Sequence, residues 1–110
     1  MPRAAGLPPG TLALLILHIL QVRPLHGYAI AQRIHVLSRE VLNVEEGSLY
    51  PALQKLLLNG WVKASWTTSE SGRDVREYRL TRSGRTQLES ARAEYERMGR
   101  AVGLVLDAKS

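Results

Sequence analysis

The stretch GSLYPALQKLLLNGWV, residues 47–62, contains the change of period that decides the fold. Leu49, Leu53, Leu56 and Leu57 recur at helical spacing, which predicts a helix starting near Gly47 or Ser48 with those leucines as its buried stripe. Ser48 can accept a backbone N–H at the helix start, and Pro51 falls at the edge of the first turn, where a missing N–H costs little. Asn59-Gly60 ends the helix, because glycine supplies the left-handed conformation that terminates it. The opposite face shows Ser48, Pro51, Gln54 and Lys55. From Trp61 the period falls to two: Val62, Ala64 and Trp66 alternate with Trp61, Lys63 and Ser65, and after a polar break Arg76, Tyr78 and Leu80 alternate with Glu77 and Arg79. That pattern is a hairpin. Its tip, Ser69 to Asp74, is rich in turn formers and carries Arg73.

Upstream, a first helix is expected from about Gly10 to Gln21, capped by Thr11 and stopped by Arg23-Pro24, since the residue before proline avoids the helical region. Its residues Leu12 to Leu20 are apolar except His18, more than one buried stripe needs. The helix should therefore be covered twice, by its own domain and by a partner chain through Leu12, Leu15 and Ile16. A second helix is expected from Gly27 to Leu37, with Ile30, Ile34, Leu37 and Val41 on one face. Downstream, Thr81 caps a last helix in which Leu88, Tyr95 and Val102 recur every seven residues, with Ala91, Met98 and Val105 interleaved. Those six positions form the seam of a dimerisation helix. Gly99 and Gly103 each cost about 0.8–1 kcal/mol inside a helix, so the end beyond Gly99 is expected either to fray or to pack closely.

Helix, helix, helix, hairpin, long helix is the order of a winged helix-turn-helix, mainly α with a small β-hairpin, over residues 1–81, with residues 82–110 as a dimerisation helix packed on it. One hundred and ten residues, 45% hydrophobic and 23% charged, fit one globular unit and exclude a disordered or collagen-like chain. The longest apolar run is about half of the ~20 residues that cross a bilayer, so no membrane span is expected. Arg3 ahead of that run faintly resembles a signal peptide, but Pro8, Pro9 and Gly10 interrupt it, and the segment reads as mature structure.

Zero cysteines remove disulfides, thiolate metal sites and cysteine nucleophiles together, and make a reducing cytoplasm the expected setting. His18, His26 and His35 lack the i, i+4 pairing that puts two imidazoles on one helix face, so neither metal nor other cofactor is expected. No nucleophile elbow, phosphate-cradling glycine loop or apolar carboxylate pair occurs, which argues against an enzyme. The net charge is +5, spread as nine basic against six acidic residues before position 82 and six against four after it. Such a balance permits a polyanionic partner without demanding one.

Three motifs in order, HGYAIAQRI at 26–34, GSLYPALQKLLLNGWV and SGRDVREYRLTRSGR at 71–85, resemble the PadR family of transcriptional regulators. The single short C-terminal helix is similar to the smaller subgroup of that family. The resemblance implies a homodimer that binds double-stranded DNA, with the helix at Gly47 in the major groove. A groove about 12 Å wide accepts one helix, and small residues at its start let the backbone approach bases and phosphates. Gly47 and Ser48 suit that approach, Tyr50, Pro51, Gln54 and Lys55 supply contacts, and Arg73, Arg76 and Tyr28 are placed at the flanking backbone. Where the family usually carries proline or a basic residue after the wing's Gly-Arg, this chain has Asp74. The resemblance further implies a small aromatic or other hydrophobic effector between the first and last helices, beside Tyr95 and Met98. The alternative is a winged helix that binds protein, or an oligomerisation module, without DNA binding.

Overall fold

Proline, glycine and polar breaks divide the described residues into seven elements: α1 (Thr11–Leu20), β1 (Leu25–His26), α2 (Gly27–Leu37), α3 (Glu46–Leu58), β2 (Val62–Thr68), β3 (Asp74–Leu80) and α4 (Arg82–Asp107). The computed structural model describes Leu7 and residues 10–109. Arg3, Pro8 and Pro9, on which the reading of the N-terminus rests, lie outside the described residues.

Several helix ends differ from expectation for local reasons. The cap of α1 is Gly10, at φ 83°, and Thr11 is already the first helical residue. In α3 the cap is Glu45, so Ser48 sits inside the first turn and donates its backbone N–H to the Glu45 carbonyl at 3.0 Å. An earlier start suits the acidic Glu46, which favours the positive end of the helix. Pro51 consequently lies in the second turn, where its missing N–H leaves the Gly47 carbonyl without its helical donor. Helix α2 buries Ile30 and Ile34, but Leu37 and Val41 are half in solvent. The helix stops at Leu37 and the chain turns through Arg39 and Glu40, both at positive φ (55° and 66°), so the spacing of Val41 loses its meaning.

The sheet is three-stranded, in the order β1-β3-β2. The expected hairpin pairs Val62 with Leu80 through to Thr68 with Asp74. A two-residue strand, too short for any period to reveal, adds Leu25 opposite Tyr78 and His26 opposite Glu77. His26 also caps α2, its Nδ1 accepting the Ala29 N–H at 3.3 Å.

The core lies where α1, α2 and α3 meet the inner face of the sheet and the first turns of α4. Ile16, Leu17, Ile30, Leu49, Leu53, Leu56 and Val62 are under 2% exposed, and each stabilises the fold by roughly 1.5–3 kcal/mol on burial. Two residues assigned to a dimer seam belong here instead. Ile16 is 0% exposed and Leu88 6%, because α1 turns Ile16 onto the core and α4 begins by packing against α1. Neither offers a side chain to a second protomer.

Helix α4 enters through a tight junction. Thr81 caps it as expected, accepting the Gly84 N–H at 3.0 Å, while its hydroxyl donates to the Gly60 carbonyl at 2.7 Å. Gly84 then passes so close to the chain entering β2 that a Cβ there would lie 2.0 Å from the Trp61 carbonyl oxygen. Beyond this point α4 runs without interruption to Asp107 through both Gly99 and Gly103.

Candidate nucleic-acid interface

With Leu49, Leu53 and Leu56 turned into the core, α3 presents Gly47, Pro51, Gln54 and Lys55 to solvent, and Ser48 lies half-buried at the edge of that face. The helical arithmetic that buries one stripe exposes the other. Leu58, 78% exposed, ends the same outer face, and its place in a run of leucines gave no sign of it.

Tyr50 joins α3 to α2. Its hydroxyl lies 2.9 Å and its ring edge 3.1 Å from where a Cβ on Gly27 would be, so the absence of a side chain at Gly27 makes room for the ring. Tyr28, next in sequence, is 65% exposed and stacks on His26 with centroids 6.4 Å apart and planes 7° from parallel. The two tyrosines thus stand at the start of α2 beside the first turns of α3.

The wing supplies the charge. Arg76 projects from β3 with its guanidinium 5.9 Å from the ring centroid of Tyr78, a cation–π contact that steadies the arginine above the sheet. Tyr78 is 4% exposed, and its burial raises the phenol above the ordinary tyrosine value; Arg76 opposes that shift and nearby Tyr50 adds to it. Arg73 sits in the tip, which is closed by the Ser69 N–H on the Arg73 carbonyl at 2.8 Å and the Arg73 N–H on the Ser69 hydroxyl at 3.3 Å. Asp74 opens β3, exposed and opposite Thr68. Trp66 pairs across the strands with Arg76 and is 71% exposed, a large indole at the wing that periodicity could not separate from core-facing neighbours.

All nine sequence-assigned DNA contacts therefore reach solvent or its edge, in two groups. Tyr28, Gly47, Ser48, Tyr50, Pro51, Gln54 and Lys55 lie on the α2–α3 pair; Arg73 and Arg76 lie on the wing. Of the histidines, His26 caps α2, His35 meets the Leu42 carbonyl through Nδ1 at 2.9 Å, and His18 lies 3.4 Å from the Gln21 amide. Among the described residues no group of three or more His, Asp or Glu side chains could hold a metal ion. No described helix is long and apolar enough to cross a membrane.

Three helices, a three-stranded sheet with a two-stranded wing, and a long C-terminal helix define a winged helix-turn-helix protein. The chain belongs to the transcriptional regulator PadR-like family, whose profile matches residues 16–90. It is similar to a transcriptional regulator from Clostridium thermocellum, with a TM-score of 0.79 and 26% identity over 86% of this chain and 91% of that one. A PadR family regulator from Eggerthella lenta superposes with a TM-score of 0.77 at 28% identity, covering 91% of this chain and 85% of its own. One from Clostridium difficile gives 0.75 at 27%, covering 88% and 99%. No curated protein sequence matches the chain.

Proposed function

We propose that the chain is a sequence-specific repressor, binding a pseudo-palindromic operator in double-stranded DNA as a homodimer in the cytoplasm. One observation carries the reading: an exposed face of small and polar residues on α3, including Gly47, Gln54 and Lys55, on the same domain as the exposed guanidinia of Arg73 and Arg76. The helix face has the shape and donors for base edges, and the arginines have the charge for phosphate. Residues 1–81 act as the DNA-binding unit and residues 82–110 as the dimerisation helix. Support for the dimer comes from Tyr95, Met98, Val102 and Val105, exposed by 57, 49, 49 and 74% along one helix, joined by Leu12, Leu15 and Ala91.

A mobility-shift titration with DNA from upstream of the coding sequence tests this. Saturable binding at nanomolar protein that survives excess random duplex is the expected result. Loss of the complex to random duplex would leave a protein-binding winged helix. A small aromatic or hydrophobic effector would enter between α1 and α4 beside Tyr95 and Met98, and it would release DNA only by preferring the DNA-incompetent state. Operator DNA must then weaken a phenolic ligand by the factor that the ligand weakens DNA, which calorimetry with and without operator measures.

A further inference from the structure

A groove of about 590 Å³ runs between α2 and α3, and its size is that of a small-molecule site. Its α2 wall is a single helical face, Tyr28, Ala31, Gln32 and His35, at the i, i+3, i+4 and i+7 steps. The first turns of α3 supply the other wall with Glu46, Leu49 and Tyr50, spaced i, i+3 and i+4. Leu49 and Val44 give it an apolar floor, being 2% and 9% exposed. The rim is aromatic and polar.

The groove opposes the chain in sign. The net charge is +5, yet among the described residues no lysine or arginine lines this groove, whereas Glu45 and Glu46 do. A helix start ordinarily draws phosphate, but two carboxylates at this one repel it. Glu46 is exposed and meets no cation among the described residues. His35 is engaged through Nδ1 by the Leu42 carbonyl at 2.9 Å. The two tyrosine rings are already placed, Tyr28 by its stack on His26 and Tyr50 by its seat over Gly27, so little ordering is needed to receive a ligand. Aromatic faces beside a carboxylate, with no lysine or arginine to compete, are the chemistry that recognises organic ammonium ions.

We infer that the α2–α3 groove binds an organic ammonium ion with an apolar body, the charge set between Glu46 and the tyrosine rings and the body on Leu49 and Val44. Tyr28 and Tyr50 belong also to the face assigned to DNA, so the bound cation and the operator exclude one another. That consequence rests on the DNA-binding reading above, whereas the site itself does not. The groove differs in place and in charge from the effector position beside Tyr95 and Met98, and a ligand here needs no movement of α4 to release DNA.

Calorimetry on the full chain without DNA, at constant ionic strength, tests the site. The probe is benzyltrimethylammonium, with benzyl alcohol and phenylacetate as its neutral and anionic counterparts. Only the cation should give a saturable heat. Glu46→Gln should weaken it about fivefold, the loss of one exposed charge pair. Tyr28→Leu should weaken it about threefold, whereas Tyr28→Phe, which keeps the π-face, should leave it unchanged. No heat, equal binding of the three compounds, or unchanged affinity in a folded Glu46→Gln protein overturns the site. In a mobility shift, the cation at ten times its dissociation constant should raise the operator midpoint about elevenfold, and about threefold for Glu46→Gln at the same concentration. A midpoint that the cation does not move overturns the exclusion and leaves the site standing. Absence of any operator complex, with the calorimetry as expected, overturns the DNA-binding reading instead.

Discussion

Gly84 and Gly99 lie on one helix and have opposite meanings. At Gly84 a methyl group would fall 2.0 Å from a main-chain carbonyl oxygen, which cannot rotate away, whereas nothing lies within 4 Å of the corresponding point at Gly99. Gly84→Ala should therefore destabilise the fold by about 3 kcal/mol through overpacking. Gly99→Ala should stabilise it by about 0.8–1 kcal/mol through helix propensity. Urea titration of the two variants checks both signs. Gly27 is an intermediate case, since the obstacle there is the end of the Tyr50 side chain. A Gly27→Ala protein should fold with its tyrosine displaced, and should lose operator affinity out of proportion to its loss of stability.

Among the elements, the wing and the start of α4 are most open to test. Thr81 serves both, as cap for Gly84 and as donor to the Gly60 carbonyl. Thr81→Ala should cost about 1–2 kcal/mol, read as a lower denaturation midpoint at unchanged slope. On the wing, replacing Arg73 or Arg76 by alanine should weaken operator and random DNA about equally. The slope of log affinity against log salt should fall by about 0.9 for each phosphate no longer neutralised. Arg76 stacks on Tyr78 whereas Arg73 lies in the turn between the strands, so a larger effect at Arg76 would mark the pre-ordered side chain as the stronger phosphate ligand. Changes at Ser48 or Gln54 should instead alter preference between sequences.

For the whole molecule, the decisive property is the long helix that leaves its own core. The described chain measures 60 × 31 × 21 Å, and the far half of α4 lies exposed among the described residues. Met98→Glu should convert the protein to a monomer in sedimentation, because an unpaired charge buried on both sides of a two-fold interface costs several kcal/mol. A dimer that persists would move the seam away from Met98. Two reading helices related by that axis should protect half-sites about 34 Å apart in a footprint. A single asymmetric patch would contradict the two-fold arrangement.

Local signals in the sequence determined the helices, the hairpin and the order in which they follow. Each depends on near neighbours: the leucine spacing of α3, the alternation of residues 61–66, Thr81 three residues before Gly84, and Gly60 after Asn59. The exposed face of α3 was legible for the same reason, since burying Leu49 and Leu53 turns Gln54 outward. Only the tertiary structure decided which surplus apolar residues belong to the protomer. Ile16 and Leu88 carry the same spacing signal as Leu12 and Tyr95, yet they are buried at home because α1 packs against α4 and both residues join the shared core. Periodicity reports that a residue is apolar on a face, and not what covers that face. Strand β1, the seat of Tyr50 over Gly27, and the pressure of Trp61 on Gly84 were likewise hidden, since each joins residues far apart along the chain, at a separation where no local pattern survives.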